Sequence, residues 1–240
     1  MRFRGSSRPF ASGLFSRIPP GVRWLLIANI VIFLVSSLTA DRFDWLATFG
    51  LVPNLVVHGY LWQLFTYMFL HSTRSLGHIL FNMLALWMFG SQLEQTWGTR
   101  RFLTYYTICG VGAGVCVVLV ALLLGGSASA TIGASGALFG LLLAYGMLFP
   151  DSVILFMLVF PIKAKYFVMI MGAIAFYMSV TGGNSGVSNV AHVGGLLVGF
   201  LYLKTRVGGF DRRYLERRLQ EWKMQRAKRK FQVYMRKHGN

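Results

Sequence analysis

The sequence predicts an all-α, polytopic membrane protein built from six transmembrane helices, and three observations carry that expectation. The chain is 55% hydrophobic and only 13% charged over 240 residues, too apolar for one soluble domain and too long for a single anchor. Apolar windows close to the length that crosses hydrocarbon, about 17–25 residues, recur along it. The basic residues gather at alternate connections between those windows.

The windows run Trp24–Ala40, Leu76–Leu93, Phe102–Leu124, Ser135–Phe149, Tyr166–Val180 and Asn189–Leu203, and several are short. They define a six-helix core, residues 24–203, between a basic N-terminal arm, 1–23, and a basic tail, 204–240. The arm consists largely of Arg, Ser, Gly and Pro and has little to pack. Leu14–Ala40 could be a cleaved signal peptide, but Arg17 and Arg23 interrupt it and the apolar run is long, which favours a retained first span. The longest connection, Asp41–Ser75, contains LVPNLVVHGYLWQLFTYMFLHS; its aromatic content places it in the membrane interface rather than in water. GGSASATIG and TGGNSGVS, the other outer connections, are small-residue stretches without charge.

Formal net charge is +17, which in a soluble protein would point to nucleic acid. Location excludes that partner. Five of the Lys and Arg residues precede Trp24, Arg100 and Arg101 follow the second span, Lys163 and Lys165 follow the fourth, and thirteen follow Leu203, leaving only Arg42 and Arg74. With six spans the large groups share one side, which the positive-inside rule makes the cytoplasm, with both termini inside. A multi-pass protein of a bacterial-type plasma membrane is expected. In the tail, Leu215, Leu219 and Trp222 recur at helical intervals among cations; an interfacial helix on anionic lipid and a solvated basic tail both fit. Cys109 and Cys116 are seven apart on one helix, a rise of about 10 Å, beyond disulfide reach, so both read as packing residues. No cofactor and no metal site is expected, because CxxC, HExxH and carboxylate clusters are all missing from the sequence.

Polar groups inside a membrane need a reason, and three elements supply them: HILFN at His78–Asn82, GASG at Gly133–Gly136 and AHVGG at Ala191–Gly195. Spans two, four and six all run inward, and His78, Ser135 and His192 stand near their starts. All three therefore share the outer leaflet. Span four, ended by Pro150, is about 22 Å long against a hydrocarbon core of about 30 Å, so Ser135 is recessed and water must reach it from the outer side. Each motif has a bland reading: Ser135 as an N-cap, Gly136 and Gly140 as a packing seam, and each histidine as a hydrogen-bonded core residue. Taken together they converge. Ser135 and Phe139 share a face of span four at about 100° per residue, and Gly195 and Gly199 let span six approach closely enough to bring His192 to Ser135.

The chemistry expected from that convergence is a serine nucleophile, Ser135, with His192 as its general base. Of the seven acids only Asp41 and Asp44 are on the outer side, so a dyad is expected rather than a triad. The free N–H groups at the start of span four, that of Ser135 included, with the side chains of His78 and Asn82, could hold an oxyanion. Gly133 and Gly136 leave backbone accessible to a substrate.

The motifs HILFNM…LWMFG…LE, GASGALFG and AHVGGLLVGF, in this order between Trp24 and Leu203, resemble the rhomboid family of intramembrane serine proteases. The resemblance implies a six-helix bundle with Ser135 as nucleophile, His192 as base, His78 and Asn82 as oxyanion donors, and Phe139 packed on the base. It implies that Asp41–Ser75 is a membrane-embedded first loop, that the fifth span with Thr181–Ser188 forms a lateral gate and cap, and that Glu94 anchors that region. The chain departs from the family at Trp62-Gln63, where many members have Trp-Arg, and in a longer gap between His71 and His78. Transmembrane proteins whose helix unwinds near the outer surface are the implied substrates. Two other classes compete: a non-catalytic membrane scaffold or quality-control factor, and a small-molecule transporter. Against the transporter stands the lack of an internal repeat.

Overall fold

The computed structural model describes residues 18–124, 130–156, 159–181, 186–205 and 224. The N-terminal arm up to residue 17, residues 125–129 and 182–185 of the outer connections, and the tail positions Leu215, Leu219 and Trp222 lie outside the described residues. Two compact units divide the chain after Phe200; the site belongs to the first.

Helix α1, Pro20–Leu38, opens with proline at its first position and has no side-chain cap of its own. Its start is held from a distance, since Gly21 and Val22 donate their N–H groups to the two oxygens of Glu94, both at 2.8 Å. Thr99 donates its hydroxyl to the same carboxylate at 2.6 Å, so the buried acid has three donors. Glu94 thus anchors the first helix, not the outer loop and gate that the family resemblance suggested. Leu25, Asn29, Phe33 and Ser36 form the buried stripe of α1, while Trp24, Ile30, Leu34 and Leu38 remain exposed, as expected of a helix with one face on lipid.

The connection after α1 is folded. It contains three short helices, α2 (Trp45–Phe49), α3 (Pro53–Val57) and α4 (Gln63–Thr66), followed by a 3₁₀ turn at Tyr67–Phe69. Gln63, fully buried, pins it: its Oε1 accepts from the Val52 N–H at 3.0 Å and its Nε2 donates to the Ala47 carbonyl at 2.7 Å. Trp62 donates to the Thr48 carbonyl and Thr66 to the Phe49 carbonyl. Glutamine therefore anchors the loop at the position where the family resemblance led one to expect arginine.

Helix α5, Leu76–Trp97, widens into a π-turn at Leu86–Gly90 and stops at Gly98, whose φ of 81° few other residues adopt. Helix α6, Thr99–Leu124, α7, Ser135–Leu148, α8, Ala164–Thr181, and α9, Gly186–Lys204, complete the helical part. Among the described residues four helices, α1, α5, α6 and α8, are long and apolar enough to cross a membrane; α7 and the stretch Asn189–Lys204 of α9 are shorter apolar helices. Each of the six predicted windows holds one of these helices.

The all-α expectation needs one correction. Between α7 and α8 lies an antiparallel hairpin, β1 (Val153–Phe156) with β2 (Phe160–Lys163), in the register Ile154↔Ile162 and Leu155↔Pro161. Proline and serine bound a short run of β-branched and aromatic residues there, which favours strands, and Ile154 turns inward to become 6% exposed. At its base Lys163 and Lys165 flank the exposed Asp151, at 3.5 and 3.2 Å, and hold that carboxyl below its usual range.

Candidate functional site

Ser135 is the first residue of α7, and its side chain does not cap the helix; Ala134 occupies the cap position without a side-chain bond. Two contacts fix the approach to it. Leu51 and Thr131 exchange backbone hydrogen bonds at 2.9 Å each, and the Gly133 N–H donates to the Tyr67 carbonyl at 2.9 Å. Gly133 makes the turn at φ 115°, a conformation glycine accepts freely. The folded first loop thereby sets the position of the serine backbone.

The freed hydroxyl meets His192. The distance from Ser135 Oγ to His192 Nε2 is 2.7 Å, and with the ring proton on Nδ1 the hydroxyl donates and Nε2 accepts. Phe139, one turn into α7, stacks on the imidazole with ring centroids 4.3 Å apart and planes within 7°. The ring is therefore clamped between a hydrogen bond and a π face.

Glycine makes this approach possible. A Cβ on Gly195 would run into the Gly136 carbonyl, and one on Gly199 would lie 2.6 Å from the Tyr105 hydroxyl and 3.2 Å from Gly140 Cα. On the other side of α7, a Cβ on Gly140 would sit 2.5 Å from Cys109 Sγ, and one on Gly136 would sit 2.8 Å from Ala113. Cys109 is a free, buried thiol within this seam, and Cys116 is also free and packs against Gly194. Tyr105 donates to the Gly140 carbonyl at 2.8 Å, and Tyr67 to the Gly110 carbonyl at 2.7 Å. Gln63 and these two tyrosines position the site from afar; the sequence marked Gln63 only as a departure from the family pattern, and neither motif nor helical periodicity marked the tyrosines.

His78 lies beside the turn. The Ser72 N–H donates to His78 Nδ1 at 3.3 Å, which leaves the ring proton of the neutral imidazole on Nε2. That Nε2 faces Gly133, where an added Cβ would come within 2.8 Å of it. Asn82 is 7% exposed and donates from Nδ2 to its own helix at the His78 carbonyl, 2.6 Å, while its Oδ1 has no partner among the described residues. The expectation that both side chains point one way as donors therefore meets two situations: His78 is oriented toward the serine turn, and Asn82 is partly engaged within α5. His71, which the sequence reading left without a role, packs its ring against His78 at 5.1 Å. Burial, with His78 beside it, pushes the His71 imidazole down to about 4, against a weaker upward pull from the Phe69 carbonyl.

Comparison with known proteins matches residues 58–208 to the model of the Rhomboid domain. YdcA of Bacillus subtilis (strain 168) is 31% identical over 204 residues, covering 83% of this chain and 95% of YdcA. Rhomboid protease GluP of the same organism is 29% identical over 218 residues, 87% of this chain and 40% of GluP. RHOMBOID-like protein 1 of Arabidopsis thaliana is 34% identical over 184 residues, 74% of this chain and 43% of that protein. The chain thus spans less than half the length of the last two. Motifs, helices and family match agree: the chain belongs to the rhomboid family and is a mostly helical, multi-pass integral membrane protein.

Proposed function

We propose that this protein is an intramembrane serine endopeptidase acting through a Ser135–His192 dyad on transmembrane segments of other membrane proteins. The observation that carries the reading is the 2.7 Å bond between Ser135 Oγ, at the start of α7, and His192 Nε2, in the second turn of α9. The name of GluP, a rhomboid protease, supports the same reaction class. In the proposed topology the six helices form one bundle, residues 24–203, with the basic arm and tail in the cytoplasm and the site opening to the outer side.

His192 Nε2 takes the Ser135 proton as Oγ attacks the scissile carbonyl. The oxyanion forms against the free N–H groups at the start of α7, where the helix dipole is positive, with His78 Nε2–H on the flank and Asn82 contributing its remaining amide hydrogen. The imidazolium then protonates the leaving amine, and water, activated by the same ring, releases the acyl group. Phe139 keeps the ring in plane during both transfers. Gly133 and Gly136 are buried against His78 and Ala113 and so are packing glycines, not the open backbone that the sequence suggested, and Gly195 and Gly199 hold base and nucleophile in register. A helix hides its carbonyls from a nucleophile, so segments with helix-weakening residues are the preferred substrates.

A serine-directed fluorophosphonate tests this directly. Covalent mass added at Ser135 in wild type, and lost in both Ser135→Ala and His192→Ala, is the expected result. Absence of labelling on folded wild-type protein would reject the protease and favour a scaffold that binds transmembrane segments without cutting them.

A further inference from the structure

The four charged side chains of the long connection after α1 are Asp41, Arg42, Asp44 and Arg74, and all four line a single cavity of about 740 Å³. Its floor holds a more unusual group. His71 is only 3% exposed and lines the same cavity, and apart from a weak pull toward the Phe69 carbonyl neither ring nitrogen has a hydrogen-bond partner of good geometry among the described residues. A neutral imidazole carries one donor and one acceptor, and with the donor only weakly met and the acceptor unmet the ring is unfavourably buried. Something polar belongs there.

The rim narrows the chemistry. Arg42, Arg74 and Asp41 make no ion pair among the described residues, while one oxygen of Asp44 accepts the Ala47 N–H at 2.9 Å. Two cations and two anions face the same space, so a simple anion would meet two guanidinium groups and two carboxylates alike. A ligand carrying both signs suits the rim better. The walls are apolar: Phe43 and Leu46 are exposed, and Trp45 is half-buried beside them. Ser36 and Ala40 of the end of α1 also line the space, and the neighbouring Leu34 and Leu38 leave apolar surface exposed, at 53% and 84%. Exposed apolar side chains thus stand on the cavity walls and at the nearby end of α1. A volume of this size lies within the ~300–1,000 Å³ of small-ligand sites and holds a headgroup with its glycerol, not a whole lipid.

We propose that this cavity binds the headgroup of an outer-leaflet phospholipid bearing a phosphodiester and a primary amine. Arg42 and Arg74 take the phosphate, Asp41 takes the ammonium, His71 donates a ring N–H to a phosphate oxygen, and the acyl chains lie along α1. The site adjoins the candidate oxyanion donor: Ser72, on the cavity wall, holds His78 Nδ1, and His71 packs on the His78 ring. Occupancy therefore steadies His78, which makes the lipid a positioning ligand. The outer-side placement rests on the topology proposed above.

The test uses the full chain, purified in detergent and stripped of lipid, then titrated with phosphatidylethanolamine, phosphatidylcholine or phosphatidylglycerol and counted by native mass spectrometry. One saturable phosphatidylethanolamine per chain is expected, held at least tenfold more tightly than the other two. Arg42→Ala/Arg74→Ala should abolish that preference, and Asp41→Asn should shift it toward phosphatidylglycerol. All three substitutions are on exposed side chains, so thermal unfolding should be unchanged. Soluble glycerophosphoethanolamine binding as tightly as the lipid would support the headgroup chemistry and assign the source to the aqueous phase. Equal retention of all three lipids, or retention unaffected by the variants, would overturn the proposal, as would cross-linking of the cavity to a bound polypeptide in place of lipid. Fluorophosphonate labelling of Ser135 on the same samples separates the two readings. Labelling with no lipid preference rejects only the lipid site, and lipid preference with no labelling rejects only the protease.

Discussion

Helices α7 and α8 are joined by the hairpin and have similarly apolar compositions, yet eleven of the fourteen residues of α7 are buried and only three of the eighteen of α8. Side-chain size accounts for the difference. Gly136, Ala137, Gly140, Ala144 and Gly146 let neighbouring backbones close in around α7, whereas Met169, Ile170, Phe176 and Tyr177 hold space open around α8 and present it to lipid. In a membrane, hydrophobicity does not choose between protein and lipid as a neighbour; close packing does. The helix that carries Ser135 is packed on most sides, and the helix next to it in sequence is held along one narrow line.

The largest effect should come from the locked helix. Ser135→Ala or His192→Ala is expected to lower cleavage of a transmembrane reporter by about 10⁶, the scale seen when a nucleophile–base unit is broken, while the protein unfolds at its usual temperature. Turnover in liposomes and a thermal scan read the two quantities. His78→Ala and Asn82→Ala should each cost about 10²–10³ in kcat with KM nearly unchanged, because the charge they meet exists mainly in the transition state. A change confined to KM would move both residues to substrate binding.

Gly195→Ala and Gly172→Ala sharpen the contrast further. The first places a methyl group against the Gly136 backbone carbonyl, which has no room to yield; the second meets the end of the Leu196 side chain at 3.3 Å. Loss of about 3 kcal/mol is expected for Gly195→Ala, at the upper end for overpacking, and less than about 0.5 kcal/mol for Gly172→Ala. Equal losses in denaturation would show that α8 is packed as firmly as α9.

His71 gives a pH signature. Its folded value of about 4 lies below the usual 6.5, so between those limits the unfolded chain binds more protons and stability falls as pH drops. At pH 5 this amounts to ~2 kcal/mol, and His71→Phe should lack that share of the acid sensitivity when the two unfolding curves are subtracted. The smallest effects belong to the lipid face of α8: Met169→Ala or Phe176→Ala should shift stability by less than about 0.5 kcal/mol.

Much of this was legible in the sequence because polar residues in apolar helices need partners. Ser135, His192 and His78 stand near the starts of three alternate windows, and in the proposed topology chain parity alone brings them to one level. The glycines at 136, 140, 195 and 199 then say which helices touch. What escaped notice has physical causes too. The hairpin Val153–Lys163 is a short apolar run, whose periodicity cannot separate strand from helix. Tyr67 and Tyr105 bond to carbonyls 43 and 35 residues away, and a tyrosine in an aromatic-rich stretch carries no local mark of such a partner. The Asn82 amide looked like a free donor because its spacing from His78 was visible and its bond to the His78 carbonyl was not.

The grip of Glu94 on α1 has a consequence for how the chain is made. Synthesis proceeds from the N-terminus, so α1 leaves the ribosome about seventy residues before the carboxylate that holds Gly21 and Val22 exists. Until then α1 has the turn at Tyr67–Phe69 and the first part of α5 to pack against, but nothing that holds its first turn. Once Glu94 and Thr99 are in place, one acid draws together the beginning of α1, the end of α5 and the beginning of α6. Nascent chains stalled before residue 94 should therefore leave the start of α1, at Gly21 and Val22, accessible to cross-linking, and chains stalled well after residue 99 should protect it. Glu94 acts as a latch that ends a waiting period in biogenesis.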